Sequence, residues 1–176
     1  GPGSGEPALT VGDETAWLSW IEQPAGGVPS VRFSRWDGAV WSEAQTIVSD
    51  PDLFVNWADF PGLLVLADGT LAAAWLKKSG SDKYAYDVWI GTSSNGGQTW
   101  VTPLRPHRDG TTTEHGFVSL TPDPVEGFWA VWLDGRDYAT KKASPETQLR
   151  AALWRAGKFG TEVLLDKRVC DCCQTA

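Results

Sequence analysis

The sequence contains no methionine at all. That is expected of a chain whose native start has been removed, by processing of a secretion signal or by choice of boundary. No apolar run reaches the length of a membrane span, which excludes a transmembrane helix. There is no dense Lys/Arg cluster, and the formal net charge is −7. A nucleic-acid backbone is therefore not an expected partner. An acidic small ligand is still compatible, because it needs only two or three local arginines. Cysteine is almost absent: there are three, all within the last seven residues. An odd count leaves at least one thiol without an intrachain partner.

Tryptophan, by contrast, is abundant. Eleven are spread from Trp17 to Trp154 rather than gathered in one place. Evenly spaced large aromatics in an alternating strand pattern point to a repeated packing unit. Trp20, Trp75 and Trp132 stand in similar company, at steps of 55 and 57 residues. Each ends a strand-like run such as Leu71-Ala72-Ala73-Ala74-Trp75. Trp41, Trp100 and Phe159 form a second series with a step of 59, each just after a glycine-containing turn. Each unit reads as four short antiparallel strands, the pattern of a propeller blade.

The expected fold is all-β, a partial β-propeller. Residues 1–5 read as a protease-cleavage scar. Blade one is expected over about 8–50, blade two over 51–108 and blade three over 109–166. The first strand of a fourth blade is expected over 168–176. The inner strands are placed near 61–66, 116–121 and 169–174. Trp20, Trp75 and Trp132 are expected between blades, and Trp41 and Trp100 under hairpins. Three blades and one strand cannot close a ring of four to eight. The chain is accordingly expected to pair with the remaining half of a propeller or with a second copy of itself.

Ser93-Ser94-Asn95-Gly96-Gly97-Gln98-Thr99-Trp100 resembles the Asp-box, S-x-D-x-G-x-T-W, of sialidases and related propellers, with Asn95 in the Asp place. Ser34, Gly38 and Trp41 keep a worn copy at the same offsets. The closing Cys170-Asp171-Cys172-Cys173-Gln174-Thr175-Ala176 resembles the wording of bacterial Asp-box repeat proteins of the exo-α-sialidase type. This resemblance covers nearly the whole chain. It implies a six-bladed propeller, a secreted or periplasmic location and, for an enzyme, hydrolysis of a terminal acidic sugar.

In a propeller the first strands line the axis, so equivalent positions converge there. Asp59, His115 and Asp171 recur at steps of 56 residues, which places a ligand site at the axial face. Asp59 is a candidate general acid, as the resemblance implies for an early-blade Asp, or a turn cap before Pro61. Glu114, beside His115, is a candidate acid/base group or a backbone brace. Arg136 follows a channel-side strand and is a candidate for a ligand carboxylate. His107 reads as a plain surface residue. Cys170, Cys172 and Cys173, with His115, could bind copper or zinc, or the cysteines could form disulfides. The sialidase-type Phe-Arg-Ile-Pro motif is missing, so the chain alone is not expected to cleave sialosides. The open alternatives are a non-catalytic metal-binding propeller and a protein-interaction propeller.

Overall fold

A computed structural model describes residues 2–12 and 14–171. Among them the chain is all-β, and the only helical element is a 3-10 turn at Arg136–Ala139. Three antiparallel sheets follow one another along the chain. The first contains β1 (Ser4–Gly12), β2 (Thr15–Glu22), β3 (Ser30–Arg35) and β4 (Gln45–Ser49), paired in that order. β1 begins inside the stretch read as a scar, with Ser4 opposite Glu22. The second contains β5 (Gly62–Val65), β6 (Leu71–Lys78) and β7 (Tyr86–Ser93). Leu104 takes the place of a fourth strand, exchanging two 2.9 Å backbone hydrogen bonds with Ile90. The third contains β8 (His115–Pro122), β9 (Phe128–Asp134), β10 (Gln148–Arg155) and β11 (Lys158–Phe159). β12 (Val163–Asp166) also pairs with β10.

The central sheet is buried on both faces, which explains why its middle strand carries no polar alternation. From β6, Leu71, Ala73 and Trp75 join Trp17, Val31, Phe33 and Ile47 of the first sheet. Ala72, Ala74 and Leu76 point the other way, to Val118, Phe128, Ala130 and Trp132 of the third. Small side chains there let the sheets approach closely, and the large aromatics on the neighbours fill the space. Polar staples join the first and second blades. Thr10 Oγ1 donates to Leu63 O at 2.7 Å, and Ser19 Oγ donates to Pro61 O at 2.8 Å.

The inner strands fall where the repeat places them for blades two and three. The expected strand at 169–174 does not form over its described part: residues 168–170 belong to no element and Asp171 lies in a turn. Residues 172–174 lie outside the described residues. Trp75 and Trp132 are buried as expected, but two tryptophans depart. Trp20 is only half-buried, on the face of the first sheet turned away from the second, in an open groove with Leu18 and Arg32. Trp41 is 43% exposed and leans on Trp36, with ring centroids 5.5 Å apart, because this outer hairpin has no blade beneath it to receive a ring.

The 93–100 turn shows the local bonding its residue types allow. Ser93 Oγ donates to Asn95 Oδ1 at 2.9 Å and accepts from Gly97 N at 3.0 Å. Asn95 Oδ1 also accepts from Thr99 N at 3.0 Å. Gly97 lies at φ +87°, and a Cβ there would stand 2.2 Å from Phe33 Cζ. The turn of blade two therefore presses backbone directly onto a blade-one ring. Gly97→Ala is expected to cost about 2–4 kcal/mol, from positive φ and overpacking together. A urea melt checks this; an unchanged midpoint would show that Phe33 yields freely.

Candidate functional site

β8 leaves the inter-blade connection with two consecutive chemical residues, Glu114 and His115. A strand sends neighbours to opposite faces. Glu114 goes to the side of Asp59 and Tyr86, the side expected to be axial, and His115 to the side of Asp87, Asp109 and Asp134, so two separate clusters arise.

The axial cluster joins Asp59, Tyr86 and Glu114. Tyr86 and Glu114 pair as a parallel bridge, and the Tyr86 hydroxyl donates to Glu114 Oε1 at 2.5 Å. Phe54 stacks on the Tyr86 ring with centroids 3.9 Å apart, fixing its direction. Asp59 is buried. It accepts from Asn56 Nδ2 at 2.6 Å and from Phe117 N at 2.7 Å, a bond that ties blade two to blade three. Gly116 lets the backbone pass between them, for a Cβ there would meet Tyr86 Cε2 at 2.8 Å and Asp59 Oδ1 at 3.1 Å. Burial pushes the Asp59 carboxyl up, against the hydrogen bonds from Asn56 and Phe117. Burial likewise raises Glu114. The Tyr86 bond opposes that shift, and the charges of Asp59 and Asp171 reinforce it. Burial, and then the bond to Glu114, hold the Tyr86 phenol above its ordinary range. The carboxyls of Asp59 and Asp171, from two other stretches of chain, thus both act on Glu114.

The second cluster is centred on His115, which is fully buried. Its Nδ1 lies 3.1 Å from Thr113 O and its Nε2 lies 3.1 Å from Asp109 Oδ1. Both partners are acceptors, which favours the doubly protonated ring. Burial pulls its pKa down, but the Asp109 bond and the charges of Asp134, Asp109 and Asp87 outweigh that and raise it. Burial pushes Asp109 up. The bonds from His107, His115 and Thr111 prevail and hold it below the usual carboxylate range. Asp134 follows the same logic, with Arg136 as its main hydrogen-bond partner.

His107, expected at the surface, is 3% exposed and stacks on His115 with centroids 3.8 Å apart and planes 4° apart. The Pro106-His107 stretch is pinned inside the blade junction, where Pro106 is also fully buried. Asp109 Oδ1 lies 3.4 Å from His107 Nδ1, and Asp87 Oδ1 lies 3.8 Å from His107 Nε2 and 3.5 Å from His115 Nδ1. Two aspartates therefore bracket a stacked imidazole pair. Asp87, His107 and His115 bring ligand-type atoms within 4.8 Å of one another, as do Asp109, His115 and Asp134. Parallel rings, however, direct their lone pairs along parallel planes. The stacked pair cannot converge on one tetrahedral ion without one ring turning. The arrangement suits shared protons better than a shared metal.

Arg136 does not reach the axial cluster. Its Nε and Nη2 each lie 2.7 Å from the Asp134 carboxylate, and Nη2 also lies 2.5 Å from Glu162 Oε2. Cys170 is exposed, in a shallow groove with Tyr138, Glu146, Thr147 and Arg168. No His/Cys/Asp/Glu ligand cluster among the described residues contains it. Cys172 and Cys173 lie outside the described residues. Sequence reasoning missed Tyr86 as a polar partner; its place in an apolar strand face gave no sign of the hydroxyl's role.

No protein-family model matches the chain, and no curated protein matches it. Solved structures do. It is similar to an α-L-arabinanase of Penicillium chrysogenum complexed with arabinobiose, with TM-score 0.64 and 17% identity over 91% of this chain and 50% of the other. A GH93 α-L-arabinofuranosidase of Fusarium graminearum gives TM-score 0.59 and 19% identity, over 93% and 48%. An endo-arabinase of Bacteroides thetaiotaomicron gives 0.58 and 15%, over 89% and 58%. At such identities the likeness concerns fold alone, and it does not extend to the Asp-box or cysteine motifs. The chain spans about half the length of the solved structures it matches, and it has the blade architecture of β-propellers that include glycoside hydrolases.

Proposed function

We propose that the chain contributes a glycoside-hydrolase-type, sugar-binding site at the axial face, with Glu114 as its acid. The observation behind this reading is the Asp59–Tyr86–Glu114 arrangement, assembled across two blades around Gly116. Glycoside cleavage needs a carboxyl that keeps its proton near neutrality and a second carboxylate. Glu114 suits the first role: burial and then the Asp59 and Asp171 charges raise it, against the Tyr86 bond and the His115 charge. It gives that proton to the glycosidic oxygen as the bond to the anomeric carbon breaks. Asp171, exposed and electrostatically close to Glu114, suits the second role, taking a proton from the attacking water. Asp59 has both oxygens engaged, so it holds the turn and tunes Glu114 rather than touching the sugar.

Release of nitrophenol from a neutral aryl arabinofuranoside, by wild type and Glu114→Gln, tests this. Wild-type turnover that collapses in the variant is the expected result. Equal turnover in both proteins, or none in either, contradicts the reading. Release of sialic acid from a sialoside reporter is not expected, because Arg136 is held by Asp134 and Glu162.

A further inference from the structure

The turn that delivers Asp59 also displays an aromatic ring. Asn56 Oδ1 accepts from Ala58 N at 2.7 Å and from Asp59 N at 2.8 Å, while its Nδ2 donates to Asp59 Oδ2 at 2.6 Å. Side chain and backbone together lock the four residues into an Asx-type turn. Trp57 stands at the tip of that turn, 86% exposed. Trp75 and Trp132 are covered and Trp41 leans on Trp36; Trp57 is held out on a braced support, two residues from a buried carboxylate. An indole there offers a flat, solvent-facing apolar face on the same braced turn as the Asp59 carboxylate.

A sugar matches that pairing. One face of its ring carries C–H groups, and its hydroxyls donate to carboxylates. The charge of the site narrows the class. Asp59 and Asp171 carry negative charge beside the Glu114 acid, and among the described residues the hydrogen bonds to Asp59 and Glu114 come from Asn56, Phe117 N and Tyr86, none of them cationic. Arg136 is committed to Asp134 and Glu162, and Arg168 lies 3.4 Å from Glu146. The cation that acts on Glu114, His115, is fully buried and bonded to Asp109, so an anionic sugar brought here meets the charges of Asp59 and Asp171 first.

We infer that Trp57 is the stacking platform of the axial site, and that the site selects uncharged sugars over anionic ones. This rests on the sugar-binding reading given above and adds to it a platform residue and a substrate class.

The test is titration calorimetry and saturation-transfer NMR on the whole chain with xylobiose, lactose and 3′-sialyllactose. Wild type, Trp57→Ala, Trp57→Phe and Glu114→Gln are compared, with circular dichroism confirming each fold. The neutral sugars are expected to bind, with 3′-sialyllactose at least about tenfold weaker than lactose at low salt and the gap narrowing as salt rises. Trp57→Ala is expected to weaken neutral-sugar binding roughly tenfold, the loss of one apolar ring face, while Trp57→Phe keeps most of it. Neutral-sugar binding that Glu114→Gln alters and Trp57→Ala does not would overturn the platform and leave the axial site standing. Equal or tighter binding of 3′-sialyllactose would overturn the charge selection. Absence of binding by all three sugars would overturn both this inference and the sugar-binding reading.

Discussion

His115→Ala is expected to cost about 3–5 kcal/mol of folding stability, the usual consequence of removing one member of a buried charge network. The substitution takes the donor from Asp109 and the positive neighbour from Asp134 and Asp87, all at the junction of blades two and three. It also strips the stacking partner from His107. The pH dependence separates this from a simple cavity. A raised histidine pKa contributes stability that is complete below the ordinary value of 6.5 and is lost as pH rises through the folded value. The lowered Asp109 and Asp134 contribute stability present above their ordinary 3.8 and lost as pH falls through their folded values. Asp59 and Glu114 are raised, so burying their charges makes stability fall as pH climbs past their ordinary values. Wild type is therefore expected to be most stable in mildly acid solution and to weaken above pH 6.5. His115→Ala should lose the histidine part of that alkaline decline, as thermal melts across pH would show. An unchanged melting point would mean that the imidazole carries no charge in the junction.

Glu114→Gln is expected to lower kcat/KM on a neutral aryl glycoside by about 10²–10⁴-fold, the range for removing a general acid. The amide keeps the size of the side chain, and its oxygen can still accept from the Tyr86 hydroxyl, so the bridge between the blades survives. Only the transferable proton is gone. An effect on KM alone would instead mark Glu114 as a binding group.

The blade repeat was legible because packing imposes it. Trp75 and Trp132 lie at equivalent, covered positions, and the all-apolar run before Trp75 follows from burial on both faces. Trp20 and Trp41 obey the same spacing but lack a covering neighbour, which spacing alone does not reveal. The 56-residue step joins Asp59, His115 and Asp171, whereas the structure groups Glu114, not His115, with Asp59 and Tyr86. The step could not say which member of the 114–115 pair joins Asp59, because one residue of strand register reverses every side chain. Register turns Glu114 to Tyr86 and His115 to Asp109. His107 is buried rather than at the surface, and Tyr86 bears a polar partner no spacing announces, for a related reason: their partners, Asp87, Asp109 and Glu114, come from distant stretches that only the folded blades bring together.

The most direct test of the axial site is the carboxyl titration of Glu114, followed by carbon-13 NMR in wild type and Asp59→Asn. In wild type it should titrate above its ordinary 4.5, because burial and the neighbouring acids hold its proton. In Asp59→Asn it should move down, with one of those charges removed. A Glu114 that titrates at its ordinary value in wild type, indifferent to Asp59, would contradict the assignment of an acid at this site.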